Sequence, residues 1–134
     1  MAEEIVVKEP LRQEMIAAGR ELVELLDRND FDVTCALWLF TSEANDWRLV
    51  LASPLVDLEG PKKVYGRIQT MLSMVPEEFA SLSLRKISVT SPEDRFIKVL
   101  RSAIGTDRGI HDIRFSRSRI NDVFVEDAYI YRAA

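Results

Sequence analysis

Asp57, Glu59 and Lys62 stand two and then three residues apart. Carboxylates beside an ammonium are what phosphate chemistry uses, with oxygens for a hard divalent cation and a positive charge for the reacting anion. Nucleases of the carboxylate-and-lysine type place an acid-x-lysine triplet on a strand, whereas these residues precede Gly60-Pro61 in a loop. Carboxylates in that setting, like Asp30 and Asp32, serve turns and helix starts, and no metal site is read from them. Lys62 and Lys63 point to a simpler chemistry, the capture of a phosphate or carboxylate by charge-assisted hydrogen bonds near a helix start. Neither common glycine-rich phosphate loop occurs in the chain, so no cofactor is expected.

His111, the single histidine, is the obvious general base at neutral pH. Cys35, the single cysteine, lies in the apolar run Cys35 to Phe40, a setting for a buried thiol rather than a nucleophile. Nothing places Cys35 or a particular serine beside His111, so no nucleophile and base pair is legible. A lone thiol cannot form an internal disulfide, which fits a reducing compartment.

The elements that must position these groups follow from periodicity. From Pro10, the residues Leu11, Met15, Ile16, Leu22, Val23 and Leu26 recur three and four apart, which predicts a helix ending near Arg28-Asn29. Val33 to Phe40 is apolar at nearly every position, as in a strand covered on both faces. Trp47 to Ala52 makes a second strand, and the short polar loop between them predicts an antiparallel hairpin with Cys35 facing Ala52. Gly60-Pro61 opens a second helix carrying Val64, Ile68, Met71, Leu72 and Val75. A third strand, Leu84 to Val89, leads into Ser91-Pro92-Glu93-Asp94, read as an N-cap serine, a first-turn proline and early carboxylates. The third helix should end at Gly105. Ile110 to Ser116 and Val123 to Tyr131 form a C-terminal hairpin around Asn121-Asp122.

The expected fold is a mixed α/β (α+β) single domain over residues 1–134, with 1–9 as an N-terminal tail. Its order is α-β-β-α-β-α-β-β, a five-stranded mixed sheet with helical cover. Right-handed crossovers would leave strands two, three and four parallel, and ligands on such sheets bind beyond the carboxyl ends of the strands. Asp57, Lys62, Lys63, Ser91, Arg117 and Arg119 then gather on one rim as candidate ligand-binding residues for a small anion. His111, six residues before Arg117 on strand four, falls about 20 Å away, at the other end.

At 134 residues, 47% apolar and 30% charged, the chain can bury one ordinary core. No apolar run approaches the ~20 residues of a membrane span, and the acidic start Met1-Ala2-Glu3-Glu4 lacks the features of a secretory signal. A cytoplasmic protein with no membrane partner is expected. Residues 1–60 hold 5 basic and 13 acidic side chains, and residues 61–134 hold 13 basic and 9 acidic. Such halves attract each other within one fold or across a dimer, and the basic half can also meet an anionic partner. Residues 84–119 carry 9 basic and 4 acidic side chains, a candidate nucleic-acid surface in which Phe115 stands among the arginines Arg114, Arg117 and Arg119. Tyr129 and Tyr131 share one face of the last strand, which as a sheet edge would pair with a second copy; a homodimer is expected.

The passage Trp38-Leu39-Phe40, then Trp47 to Asp57 with Gly60-Pro61, and the ending Glu126 to Arg132 resemble a group of small, uncharacterised bacterial proteins. The resemblance spans most of the chain and implies no activity, cofactor or catalytic residue. The leading expectation is a non-enzymatic interaction or accessory domain that self-associates. The alternatives are an enzyme or sensor binding a small anion at the strand-end rim, or a nucleic-acid-binding protein using residues 84–119.

Overall fold

The computed structural model describes residues 8–79 and 82–134. Helix α1 (Gln13–Arg28) buries Ala18, Gly19, Leu22, Val23 and Leu26; of the expected stripe Leu22, Val23 and Leu26 are buried, Met15 and Ile16 pack half-buried against the core, and Leu11 does so from just before the helix. The chain leaves it through Asp30 and Asp32, both at positive φ (54° and 53°), where a short polar side chain is tolerated. Strands β1 (Cys35–Thr41) and β2 (Asp46–Ala52) form the expected hairpin, in the expected register of Cys35 opposite Ala52. A short helix, α2 (Leu55–Glu59), replaces the loop read there. It is set up by buried Ser53, whose hydroxyl donates to the Phe31 carbonyl (2.8 Å) and accepts from the Leu55 N–H (3.2 Å).

Helix α3 (Pro61–Leu72) starts on its proline after Gly60, which adopts φ 88°. Leu84–Lys86 coils into a 3-10 turn, so β3 (Ile87–Thr90) begins three residues later than expected. Helix α4 (Arg95–Ala103) is capped by Asp94 rather than Ser91: the Asp94 carboxylate accepts from the N–H groups of Phe96 (3.0 Å) and Ile97 (3.3 Å). Ser91 closes the preceding turn through its carbonyl to the Asp94 N–H (3.1 Å). Strands β4 (Ile113–Ile120) and β5 (Val123–Ala133) pair across the two-residue turn Asn121-Asp122, with Asn121 at φ 55°.

The fold is therefore α+β with a five-stranded mixed sheet, in the order β3-β2-β1-β5-β4. Helices α1 and α3 cover the face bearing Trp38, Phe40, Trp47, Leu49 and Tyr131, and α4 covers the face bearing Cys35, Leu37, Ala52 and Ile130. The order corrects two expectations. Strands β2 and β3 are parallel, but β1 opposes β2, β5 opposes β1 and β4 opposes β5, so β4 runs against β2 and β3. The physical reason lies in β1, which is buried on both faces and needs neighbours on both edges. Strand β5, buried from Asp127 through Ala133, supplies the second neighbour and pushes the arginine-bearing β4 outward. Hence β5 is internal and offers no edge for self-pairing; β4 and β3 are the edges.

The expected tail is corrected in part. Residues 1–7 lie outside the described residues, but residues 8–10 cross the sheet as a strap: Lys8 bonds Asp127, and the Trp47 indole N–H donates to the Glu9 carbonyl (2.7 Å). Among the described residues no helix is long and apolar enough to cross a membrane.

Candidate functional site

The reversed β4 divides the expected rim between the two ends of the molecule. At the end where β2 and β3 finish, the Ser91 hydroxyl donates to the Asp57 carboxylate (2.7 Å) and accepts from the Glu93 N–H (3.0 Å), so both side chains are spent on a turn. Lys62 and Lys63 lie exposed on the first turn of α3, along a broad, open depression with Glu59 and Arg67, which pair at 2.7 Å. Arg117 and Arg119 lie near the opposite end, where β4 meets β5. His111, expected there, sits instead at the rim end. Its N–H bonds the Tyr131 carbonyl (2.6 Å), and Arg108 nearby pairs with Asp32 (2.7 Å). Its ring meets Asp107 (2.7 Å), whose carboxylate also accepts from the Gly109 N–H (2.8 Å), an arrangement that closes a turn.

Cys35 is buried, and burial pushes its thiol up to about 11, against the opposing pull of Arg101, Arg132 and the Ala134 N–H. It is a core residue with the reactivity of one.

The other end of the sheet, on the α1 side, holds groups that the sequence reading left unconnected. Phe40 and Trp47 pack with ring centroids 5.3 Å apart. The Lys8 ammonium stands over both rings (4.8 and 5.5 Å), and the Arg114 guanidinium stands 5.4 Å from Trp47. Both cations bond Asp127, whose side chain is almost fully buried, Arg114 through Nε (2.7 Å) and Nη2 (2.6 Å). Burial pushes the Asp127 carboxyl up, but the hydrogen bonds and charges of Arg114 and Lys8 outweigh it and hold the group below the usual range. This network pins the strap down.

A concavity lies on each side of the strap. One, of about 170 Å³, is floored by Trp38, Trp47, Met15 and Leu82, with the Asp46–Lys86 pair (2.6 Å) at its mouth. Both indole N–H groups are already used, Trp38 on the Tyr131 hydroxyl (3.0 Å) and Trp47 on Glu9. The other, of about 250 Å³, is lined by Lys8, Phe40, Arg117, Phe124 and Glu126. Phe124 is 54% exposed and stands directly opposite Arg119 in the β4–β5 ladder. Arg117 holds φ 47°, and the ladder has no pairing at that residue; this kink marks a shift in side alternation, since Val125 packs with the α4-side core while Tyr129 packs with the α1-side core.

Chemically this end offers an exposed ring, two arginines and an aromatic floor, the parts of a platform for a flat or apolar group that carries negative charge. Its signal was present in the sequence: a two-residue turn at Asn121-Asp122 sets Arg119 against Phe124. Counting aromatics only as far as residue 119 missed the ring five positions later. No family model, no curated protein and no solved structure matches this chain, so the chemistry of the site stands as its own evidence.

Proposed function

We propose that this chain is a non-enzymatic, cytoplasmic binding domain that meets its partner through the aromatic and basic end of the sheet. The observation that carries the reading is Phe124, a large ring left 54% exposed beside Arg117 and opposite Arg119. Leu58 and Met74 are exposed as well, but Phe124 alone of the three stands beside arginines, the aromatic and arginine pairing that is enriched at interfaces. The groups whose titration is displaced are not tuned toward neutral pH. Asp46, Asp107, Asp122 and Asp127 are held below the carboxylate range, and Cys35, Tyr129, Tyr131 and Arg114 are pushed above their ordinary values. Each of these groups moves away from neutrality, opposite to the tuning of a general acid or base.

Amide chemical-shift mapping with small aromatic acids, aliphatic acids and inorganic phosphate tests the reading. Shifts clustered on Phe40, Arg117, Arg119 and Phe124, with the added molecules recovered unchanged, are expected. Shifts clustered on Asp57, Lys62 and Ser91, or turnover of an added molecule, would overturn it.

The homodimer expected from an exposed β5 loses that basis. The remaining basic edge, β4, carries the Arg117 kink and three exposed arginines, features that block edge pairing. Light scattering should read a monomer across a hundredfold concentration range, and a dimer would reassign the β4 edge to self-association.

A further inference from the structure

We propose that the Phe124 platform takes the base and phosphate of single-stranded nucleic acid, a ligand class for the binding end argued above and resting on that reading. Three observations point there together. The Phe124 ring is exposed on a strand of a tight hairpin, so its face is available for stacking, which every base can supply. Arg119 lies opposite it and Arg117 shares its concavity. Neither arginine has an ion-pair or hydrogen-bond partner among the described residues, whereas Lys8 and Arg114 behind them are occupied by Asp127. Of the nearby carboxylates, Glu126 lines the same concavity and accepts from the Ser42 N–H (3.0 Å) and hydroxyl (2.8 Å), and Asp122 pairs with Arg95 while also feeling the charge of Arg119. Two cations with no direct ion pair among the described residues, beside an open ring, match a phosphate flanking a base.

The concavity of about 250 Å³ suits one planar base, not a duplex groove, and stacking requires a base that is already unpaired. The kink at Arg117 serves the same end, since a positive φ within the strand interrupts the ladder and sets the side chain beside Phe124 rather than in a regular edge row. The chain's net charge of −4 opposes long-range attraction, so affinity must come from these local contacts and be modest.

Fluorescence anisotropy with a short labelled oligothymidine and a matching oligouridine tests the proposal, with thymidine monophosphate, inorganic phosphate and the same sequence as duplex in parallel arms. The strands should bind more tightly than the monophosphate, phosphate alone should bind least, and the duplex should bind more weakly than the single strand. Contact with two phosphates sets a salt slope of about −1.4 in log K against log salt. Phe124→Ala should weaken strand binding roughly 5- to 150-fold, and Phe124→Tyr should restore it. Arg117→Gly, which keeps the positive φ, combined with Arg119→Gln should flatten the salt slope while leaving the melting temperature near wild type. A monophosphate that binds as tightly as the strands would assign the platform to free nucleotides and overturn the strand. No binding in any nucleotide arm, or strand binding indifferent to both sets of variants, would overturn the proposal altogether. If aromatic acids still shift the Phe124 amide in that case, the binding end stands and only its ligand class falls.

Discussion

Asp127 is the residue on which the binding end rests. Its buried carboxylate anchors Lys8 on the strap and Arg114 on β4, and through them the aromatic pair Phe40 and Trp47. Because the folded state holds the carboxyl below its ordinary value of about 4, the folded protein binds this proton less readily than the unfolded chain. The corresponding stability is complete above pH ~4 and is lost as pH falls through the folded value. Asp127→Asn should therefore lower stability at pH 7 by about 1–3 kcal/mol, the scale of lost hydrogen bonds to charged groups. It should also remove part of the acid-side fall in melting temperature, read by calorimetry between about pH 2 and 7. Equal acid slopes in the two proteins would contradict this account.

At the scale of elements, α1 reaches the sheet only because residue 19 is glycine. A Cβ at Gly19 would stand 2.4 Å from the Tyr131 hydroxyl and 2.8 Å from Trp38 Nε1. Those two groups bond each other, and the hydroxyl continues to the Ile16 carbonyl (2.6 Å). Gly19→Ala gains intrinsic helix propensity of up to about 1 kcal/mol but must break this chain or lift the helix, an overpacking cost of about 1–3 kcal/mol. A net loss of stability is expected in denaturant unfolding, with a red-shifted Trp38 emission. The other end of α1 is tied by Arg132, which is 3% exposed and bonds both Asp27 oxygens (2.9 and 2.8 Å) and the carbonyls of Val33 (2.9 Å) and Gly109 (3.2 Å). Asp27→Ala leaves that guanidinium without its counter-charge and should cost about 3 kcal/mol.

Across the whole molecule, the acidic first half and the basic second half meet inside one fold. Asp27, Asp32, Asp46 and Glu59 of the first pair with Arg132, Arg108, Lys86 and Arg67 of the second. Three of these pairs are substantially exposed and each is worth about 0–1 kcal/mol, while the buried Arg132 is the exception. Arg108→Gln and Lys86→Gln should each shift stability by less than about 1 kcal/mol in denaturant titrations, well below the change from Asp27→Ala.

Much of this architecture is legible in the residues alone, for a local reason. The stripe of α1, the register of the β1–β2 hairpin, Pro61 at the start of α3, Gly105 at positive φ after α4 and the Asn121-Asp122 turn depend on neighbours a few positions apart, where hydrophobic period and turn chemistry decide the outcome. Which strand lies beside β1 depends on contacts about 90 residues apart, such as Leu37 with Ile130, and no spacing encodes them. The doubly buried β1 drew β5 to its free edge because that pairing removes the most apolar surface from water. That one choice reversed β4 and carried Arg117 and Arg119, with the Phe124 that the local turn already sets opposite Arg119, away from Asp57, Lys62 and Ser91. The sequence by itself determined the elements and the basic character of residues 84–119; only the tertiary structure decided which end of the sheet those charges serve, because strand order is settled by the burial of the whole core.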